Sequence, residues 1–395
     1  MPAAPHVLFA GGPTDDSLLP GLAVAEHLYQ RLPQGAITFA GSDSSRNSHV
    51  VRSAGYHYSM IPTRSFPQNP LHLLRYLTDN LAGHCAARWM LREQQISLVV
   101  GLGGSTSDAV VRAASARGIP VILLEQNSLP SRTTRRLSRS AALVCAAFDQ
   151  VRPHLHVQAN VRVTGSPTRP ALEQLFRRRD QANGNSTTNA PTDILPLPVG
   201  DSRREKSLVI LGDSGDAQLL NTTLPGALGQ LKESLAGWQI VHQAGPGQLQ
   251  QTQRRYQQRG ISALAVTTID QLASVLFASD LVVCRAGGTI LSELALAGVS
   301  AVLLPSMQPT EQAQTANAKI VAAAGGCRWI DQTAQSDQFV TALAHELRPL
   351  LLDDPLRHEM ARKMHALARP YAPAEIAAAI HDILRGGQVA SRAAA

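Results

Sequence analysis

The stretch of residues 278–318 constrains the fold more than any other part of the chain. Its apolar run Leu281–Cys284 has the length of a buried parallel strand, and the glycine pair Gly287 and Gly288 ends that run before a helical pattern begins. A strand, a glycine turn and a helix leave backbone N–H groups at the carboxyl edge of a sheet, where the helix dipole favours phosphate groups. The pattern predicts a parallel α/β sheet with an anion-binding turn, although folds that bind no nucleotide also contain such turns.

Residues after the glycine turn supply polar groups to the same edge of the sheet. Glu293 lies in the first turns of the predicted helix, where its carboxylate is spaced to accept hydrogen bonds from a ribose diol. A second apolar run, 301–304, ends at Pro305 and leads through a polar loop to Gln314 and Asn317. Because the carboxyl ends of parallel strands meet at one edge, we expect these two strand ends to face one ligand.

The same alternation of short apolar runs and helical patterns fills both halves of the chain. A loop is predicted over 11–17, before a helix from Leu18 onward. Strands that alternate with helices indicate βαβ units and parallel sheets, so the predicted fold class is α/β, with two Rossmann-like domains that face each other across a cleft. The predicted strands are 6–10, 36–40, 98–101, 120–124, 141–146, 160–163, 207–211, 239–242, 263–267, 281–284 and 301–304.

Length and composition divide the chain into domains. Its 395 residues exceed the usual size of one domain. Residues 180–206 are rich in Asn, Thr, Pro and charge and contain almost nothing to bury, which predicts an exposed linker. We therefore expect a first domain over 1–179, a second domain over 207–385 and a tail over 386–395.

Charge and apolar content limit the classes of partner. The formal net charge of +7 suits anionic partners such as phosphosugars and anionic lipid surfaces. The aromatic content of 4%, the scattered basic residues and the lack of an RNA-binding or helix-turn-helix signature argue against nucleic acid. Region 62–92 mixes leucines with arginines, which fits either a membrane-surface patch or an amphipathic core helix whose arginines face water. With no apolar run of the ~18 residues that cross a bilayer and no secretory signal, a cytoplasmic location is expected.

Seven short motifs carry a resemblance to a known family. They are GLGGSTS at 101–107, EQN at 125–127, GSPTR at 165–169, LGDSGDAQLLN at 211–221, HQAGPG at 242–247, CRAGGTILSELALAG at 284–298 and EQAQTANA at 311–318. In this order they resemble the MurG family of bacterial glycosyltransferases, which transfer N-acetylglucosamine from its UDP conjugate to an undecaprenyl-linked muramyl-pentapeptide, converting lipid I to lipid II in peptidoglycan synthesis. The resemblance implies the two-domain glycosyltransferase fold called GT-B, an inverting reaction, and no metal or other cofactor.

The resemblance also implies partners and a location. The substrates would be UDP-N-acetylglucosamine and the undecaprenyl-linked muramyl-pentapeptide. Further partners would be the surface of the cytoplasmic membrane and other cell-wall synthesis proteins. The protein would then be peripheral on the inner face of the cell membrane.

Family site residues carry over onto matching positions of this sequence. Glu293 would hold the ribose hydroxyls, Ile269 would pair its backbone with the uracil edge, and Gln314 would bind the transferred sugar. Gly103, Gly104 and Ser107 match the acceptor loop. The other matched positions, at the uridine, the diphosphate, the sugar or the cleft, are Thr14, Asn127, Arg169, Ser214, Gly288, Thr289 and Ser292.

The first glycine loop departs from the family pattern. Where the family has GGTGGH, this chain reads GPTDDS, so Asp15 and Asp16 replace two glycines and Ser17 replaces the histidine proposed as general base. Asp15, Asp16 and Glu125 are therefore the candidate bases for the acceptor hydroxyl. The departure leaves two alternatives to an active lipid I transferase. One is a catalytically inactive MurG paralogue that binds nucleotide sugar, and the other is a glycosyltransferase of the same fold with a different acceptor.

Overall fold

The computed structural model describes residues 4–11, 15–42, 45–64, 73–184, 205–212, 217–306, 308, 312–331 and 336–393. The chain divides into two units. The first unit comprises Met1–Arg169 together with Arg369–Ala395, and the second unit comprises Pro170–Ala368.

Each unit contains one parallel sheet. The strands of the first unit are β1 (His6–Ala10), β2 (Ala36–Gly41), β3 (His57–Met60), β4 (Leu98–Gly101), β5 (Val121–Glu125), β6 (Leu143–Ala146) and β7 (Val161–Val163). Their order is β3-β2-β1-β4-β5-β6-β7. The strands of the second unit are β8 (Lys206–Leu211), β9 (Trp238–Gln243), β10 (Leu264–Val266), β11 (Leu281–Cys284), β12 (Ser300–Leu303) and β13 (Cys327–Trp329). Their order is β10-β9-β8-β11-β12-β13.

Within each unit an α-helix connects successive strands, as is usual for parallel pairing, except that a 3₁₀ helix over Asp149–His154 connects β6 to β7. None of the described helices combines the length and the hydropathy needed to cross a membrane. The helices are α1 (Asp15–Arg31), α2 (Ser45–Ser53), α3 (Leu73–Glu93), α4 (Gly104–Ser115), α5 (Arg132–Leu137), α6 (Pro170–Gly184), α7 (Ala217–Gly229), α8 (Leu249–Gln258), α9 (Leu272–Ala278), α10 (Gly288–Ala297), α11 (Gln312–Ala323), α12 (Ser336–Leu352), α13 (Asp354–His365) and α14 (Ala372–Ala393).

The last helix of the chain completes the core of the first unit. Successive strand side chains point to opposite faces of a sheet. On one face, Val7 and Phe9 of β1 pack in a cluster with α1 and with Ile376 and Ile380 of α14. On the other face, Leu8 packs in a cluster with α3 and α4. All five side chains are buried, so removing α14 would expose part of one apolar face of this sheet.

The predicted domain boundaries differ from the structural units. Residues 369–385, which composition assigns to the second domain, lie in the first unit with the predicted tail 386–395, and α14 spans most of both. Helix α6 belongs to the second unit and includes the start of the predicted 180–206 linker, whose residues 185–204 lie outside the described part of the chain. A helical pattern shows which face of a helix is apolar, but it does not show which sheet covers that face.

Local predictions agree with the structure better than the domain boundaries do. Every predicted strand is confirmed to within two residues at each end. The sequence pattern missed β3 and β13, which are short edge strands with few apolar residues. The predicted loop over 11–17 is wrong at its end, because α1 begins at Asp15. Acidic residues in the first turn of a helix are stabilised by the helix dipole, so Asp15 and Asp16 favour an earlier helix start than the glycine-loop pattern predicts.

Candidate functional site

The glycine turns of the two units occupy equivalent places in their sheets. The order of strands reverses next to β1 and β4 in the first sheet and next to β8 and β11 in the second. Open α/β sheets bind ligands at the carboxyl ends of the strands at such points. Gly103 and Gly104 follow β4, and Gly287 and Gly288 follow β11. Both glycine pairs identified in the sequence therefore lie where this fold class places ligands.

The N-cap residue of helix α10 makes no side-chain cap hydrogen bond. This residue, Gly287, has φ −68° and ψ 145°, which most residues adopt. Among the described residues, a Cβ atom on Gly287 would approach only Ile290 Cγ2 within 4 Å, at 3.8 Å. Neither the backbone nor the packing of the described residues therefore requires glycine at this position. The start of α10 suits a negatively charged group that approaches the backbone closely.

Amide side chains of α11 fix the loops on either side of this turn. Asn317, which is fully buried, donates from Nδ2 to the Ala286 carbonyl oxygen at 3.0 Å. Gln314 accepts the Ser306 N–H at its Oε1 atom, also at 3.0 Å. Helix α11 thus ties the loop after β12 to the loop after β11. Gln314, matched to the transferred sugar, already has one hydrogen bond within its own unit.

Two of the residues matched to the donor face their own unit. Glu293 has no exposed surface. Burial raises the pKa of the Cys284 thiol on β11, and the charge of the nearby Glu293 carboxylate adds to that rise. Ser292 donates its Oγ hydrogen to the Gly288 carbonyl oxygen at 3.2 Å. The contacts of Glu293 and Ser292 with a nucleotide stay predictions.

A buried network that sequence reasoning missed supports the loop 243–247. His242 Nδ1 lies 2.8 Å from the Tyr256 hydroxyl, and both side chains are fully buried. Burial lowers the pKa of His242 to about 3, so its imidazole is neutral near pH 7. Asn221 of α7 donates from Nδ2 to the Ala244 carbonyl oxygen at 2.9 Å. The motif HQAGPG marked the loop, but these partners are 14 and 23 residues apart in the chain, and no local pattern connects them.

The N-cap residue of helix α4 also makes no side-chain cap hydrogen bond, but the backbone there requires glycine. Gly103, the N-cap residue, has φ 94°, and Gly104 has φ 83°. Residues with a Cβ atom rarely adopt such values. Gly11, after β1, lies against this turn, because a Cβ atom on it would be 2.5 Å from the Gly103 carbonyl oxygen. The loops after β1 and β4 therefore meet backbone to backbone.

Hydroxyl side chains in the first turn of α4 point in different directions. Ser107 is 1% exposed, and a Cβ atom on Gly101 of β4 would be 2.9 Å from its Oγ. Ser107 thus faces the sheet, and any contact with an acceptor would be made by its backbone. Thr106, which is also buried, has its Oγ1 2.7 Å from Oγ1 of Thr63, a residue that the sequence did not single out.

Glu125 holds the loop that follows β5. Its carboxylate accepts the Asn127 N–H at Oε1, at 3.2 Å, and the Ser131 N–H at Oε2, at 3.0 Å. Burial raises the pKa of the Glu125 carboxyl, and hydrogen bonds from Thr134, Ser131 and Asn127 partly offset that rise. Because both oxygens already accept backbone amides, the carboxylate fixes the loop that carries Asn127.

The other matched residues lie in loops and at the ends of helices. Asp15 and Asp16 are the first two residues of α1. The half-buried positions are Asn127, Arg169, Ile269 and Thr289, whereas Thr14 and Ser214 lie outside the described residues.

Helix α3 carries an exposed strip of apolar and basic residues. Leu81 is 66% exposed and Trp89 is 67% exposed. Arg75, Arg88 and Arg92 are exposed as well, and Arg92 follows Arg88 by four residues and Trp89 by three, spacings that place side chains on one helix face. The opposite face packs in the core of the first unit. Region 62–92 therefore contains a core helix whose outer face is suited to an anionic lipid surface.

Family models match both units of the chain. The model of the glycosyltransferase family 28 N-terminal domain matches residues 7–145. The model of the glycosyltransferase family 28 C-terminal domain matches residues 207–373. The glycine turns of α4 and α10 both lie within the matched ranges.

Individual relatives match nearly the whole chain. A protein of Myxococcus xanthus, named UDP-N-acetylglucosamine--N-acetylmuramyl-(pentapeptide) pyrophosphoryl-undecaprenol N-acetylglucosamine transferase, is 30% identical over 96% of this chain and 93% of the relative. A protein of the same name from Trichlorobacter lovleyi is 31% identical over 82% of this chain and 84% of the relative. The crystal structure of Acinetobacter baumannii MurG has a TM-score of 0.70 at 25% identity, over 96% of this chain and 99% of that chain.

Proposed function

The chain belongs to glycosyltransferase family 28 and, within it, to the MurG family, and on that basis we propose that it transfers N-acetylglucosamine from UDP-N-acetylglucosamine to an undecaprenyl-linked muramyl-pentapeptide. The reaction is an inverting displacement. A base takes the proton of the muramyl C4 hydroxyl, the hydroxyl oxygen attacks the anomeric carbon, and UDP leaves with the electron pair of the broken bond. The second unit binds the donor and the first unit binds the acceptor.

The observation that carries this proposal is the pair of uncapped helices that follow the glycine turns. Helices α4 and α10 each begin without a side-chain cap at the switch point of a parallel sheet. Both substrates of the proposed reaction contain a diphosphate, and a helix N-terminus without a cap is suited to that group. A glycine turn of this kind at the switch point of each sheet suits one diphosphate from each substrate.

The same terminus of α10 serves the chemistry of the leaving group. Negative charge develops on the diphosphate as UDP departs. The first-turn amides of α10 stabilise that charge without a metal. Glu293 holds the ribose hydroxyls, Ile269 holds the uracil through its backbone, and Gln314 holds the transferred sugar.

For the base, we propose Asp15 or Asp16 in place of the family's histidine. Glu125 is the third candidate, but its two carboxylate oxygens accept the amides of Asn127 and Ser131. We assign Glu125 the task of holding that loop. Asp15 and Asp16 open α1 directly after the loop that follows β1. A carboxylate at that position can accept the proton of the acceptor hydroxyl.

Membrane attachment is the task proposed for the outer face of α3. The acceptor's lipid tail stays in the bilayer, so the enzyme has to work at the membrane surface. Leu81 and Trp89 would enter the interface while the arginines of the same face contact anionic headgroups.

The transfer assay that tests the function measures UDP release from UDP-N-acetylglucosamine with the lipid-linked muramyl-pentapeptide as acceptor. The native chain should turn over and form the disaccharide. UDP binding without turnover would refute the proposal in favour of the inactive paralogue. Turnover with other acceptors alone would refute it in favour of a transferase with a different acceptor.

The same assay identifies the base. Asp15→Asn or Asp16→Asn should lower kcat by about 10²–10⁴ with UDP affinity unchanged. Glu125→Gln should raise the KM for the acceptor more than it lowers kcat, because the substitution loosens the loop that carries Asn127. A collapse of kcat in Glu125→Gln alone would make Glu125 the base.

Sedimentation with phosphatidylglycerol vesicles tests the proposed membrane face. Trp89→Glu should abolish sedimentation of the protein with the vesicles. Val157→Glu is the matched control, since Val157 is 94% exposed in the same unit but lies away from α3 in the chain. Equal losses in the two variants would contradict the assignment of the face.

A further inference from the structure

Thr63 joins the first turn of α4 to a neighbouring segment of the first unit. The residue follows β3 and is half-buried. Its Oγ1 lies 2.7 Å from Oγ1 of Thr106, and Ser105 Oγ donates to it at 3.4 Å. Because Ser105 donates to Thr63, the hydroxyl hydrogen of Thr63 is available to Thr106. One hydroxyl group therefore contacts two successive residues of a helical turn.

Helix α3 holds the backbone on both sides of Thr63. On one side, Asn80 donates from Nδ2 to the Arg64 carbonyl oxygen at 3.1 Å. On the other side, Gly83 packs against Pro62, since a Cβ atom on Gly83 would be 2.3 Å from the Pro62 carbonyl oxygen. Any residue larger than glycine would push this segment away from the helix. The segment is therefore fixed on α3, and Thr63 connects it to α4.

The turn that Thr63 contacts has little internal restraint. Gly103 precedes this turn and Gly104 begins it, and neither supplies a side chain to hold it. Glycine has more backbone freedom than any other residue. The first-turn N–H groups have no carbonyl partner within the helix. The positions of the amides at Ser105 and Thr106 therefore depend on a restraint from outside the helix, and the Thr63 hydroxyl provides one.

We propose that Thr63 is a positioning residue, whose hydroxyl holds the first turn of α4 on the frame of α3 in the geometry that binds the diphosphate of the acceptor. This inference rests on the proposed function, because the diphosphate belongs to the proposed acceptor. Thr63 acts through Ser105 and Thr106. The donor is bound by the other unit, so loss of the hydroxyl weakens acceptor binding and leaves donor binding intact.

A pair of substitutions isolates the hydroxyl group. Thr63→Val removes the hydroxyl and keeps the side-chain shape, whereas Thr63→Ser keeps the hydroxyl and is the matched control. In Thr63→Val the KM for the acceptor should rise about threefold to tenfold, the effect of losing a hydrogen bond. The KM for UDP-N-acetylglucosamine should be unchanged, and Thr63→Ser should resemble the native protein in both constants.

Amide hydrogen exchange provides a second readout that needs neither substrate nor turnover. The amides at 108–111, which are the first with carbonyl partners inside α4, should exchange faster in Thr63→Val than in Thr63→Ser. Native exchange of these amides, or a native acceptor KM, in Thr63→Val would overturn the proposal, and so would equal rises in the KM values of both substrates. If the native chain transfers no sugar, the proposed function fails, and the exchange comparison still decides whether Thr63 restrains this turn.

Discussion

The turns that begin α4 and α10 read alike in sequence, yet they are built differently. Each follows a buried strand at the switch point of a parallel sheet and contains two adjacent glycines. Gly103 and Gly104 have φ values of 94° and 83°, whereas Gly287 has φ −68°. The backbone of the fold therefore requires glycine at the start of α4, and it does not require glycine at Gly287.

This difference distinguishes a glycine that the backbone conformation requires from a glycine that a bound ligand requires. A positive φ value explains Gly103 by the fold alone, so Gly103 says little about a ligand. Gly287 has ordinary backbone geometry, and among the described residues a Cβ atom on it would meet only Ile290, at an ordinary van der Waals distance. Such a glycine is explained by a group outside the chain that approaches the backbone closely. The turn of α10 thus provides the stronger structural evidence for a binding site, and it lies in the unit proposed to bind the nucleotide.

The largest expected difference between the two units is in how their stability changes as the pH is lowered. The folded pKa of His242 is about 3, against an ordinary value of 6.5. Unfolding therefore takes up a proton, and the second unit loses stability as the pH falls from about 6.5 towards 3, by on the order of 4 kcal/mol. Burial raises the pKa of Glu125 in the first unit. Folding there favours the protonated carboxyl, so this contribution to stability grows as the pH falls through the raised pKa.

Amide hydrogen exchange at neutral and acidic pH checks this contrast. Exchange rates are first corrected for the intrinsic effect of pH. As the pH is lowered, the protection of backbone amides should decrease in β8 and β9, whereas in β5 it should not decrease. His242→Gln should remove the acid loss in β9, whereas His345→Gln, at a side chain that is 86% exposed in the same unit, should not. Acid loss that persists in His242→Gln would contradict the assignment to His242.

Removing the hydrogen bond by which Asn317 supports the α10 turn should have the next largest effect on stability and on donor binding. Asn317→Ala leaves the Ala286 carbonyl oxygen without this buried hydrogen bond, which should cost about 1–3 kcal/mol of unfolding free energy and raise the KM for the donor. Asn160→Ala is the control, because Asn160 donates to the Ala142 carbonyl oxygen at an exposed position. Denaturant unfolding and donor kinetics measure both effects. Similar losses in the two variants would show that the buried contact at Asn317 has no special weight.

The smallest change tests the comparison of the glycines themselves. Gly103→Ala forces a side chain into a positive φ value and should lower the unfolding free energy by about 1 kcal/mol or more. Gly287→Ala should leave the unfolding free energy within about 0.5 kcal/mol of the native value. It should nevertheless weaken UDP binding about tenfold or more, which corresponds to ~1.4 kcal/mol of binding free energy. Thermal unfolding and calorimetric titration with UDP distinguish the two. Native UDP affinity in Gly287→Ala would remove the argument for a ligand at this turn.

Local patterns were sufficient to predict the parts of the site that are contiguous in the chain. The strands β1, β4 and β11 have the predicted bounds, because a buried strand followed by glycine is visible within a few residues. The two glycine turns were found for the same reason. The sequence did not distinguish Gly103 from Gly287, because adjacent glycines are compatible with either backbone geometry.

Contacts between distant residues were not predictable from the same patterns. Thr63 and Thr106 are 43 residues apart and meet only because α3 and α4 pack together. Asn317 reaches the Ala286 carbonyl oxygen across 31 residues. The sequence places the first part of α14, up to residue 385, in the second domain and the rest in the tail, whereas the apolar face of this helix packs in the first unit. Each of these contacts depends on which elements lie side by side.

The measurement that tests the central claim most directly is amide hydrogen exchange with and without UDP-N-acetylglucosamine, in the absence of acceptor. The account predicts protection at 286–293, where α10 begins, and unchanged exchange at 103–107, where α4 begins. Protection at 103–107 without protection at 286–293 would contradict it, because the donor would then bind the turn that is proposed to receive the acceptor.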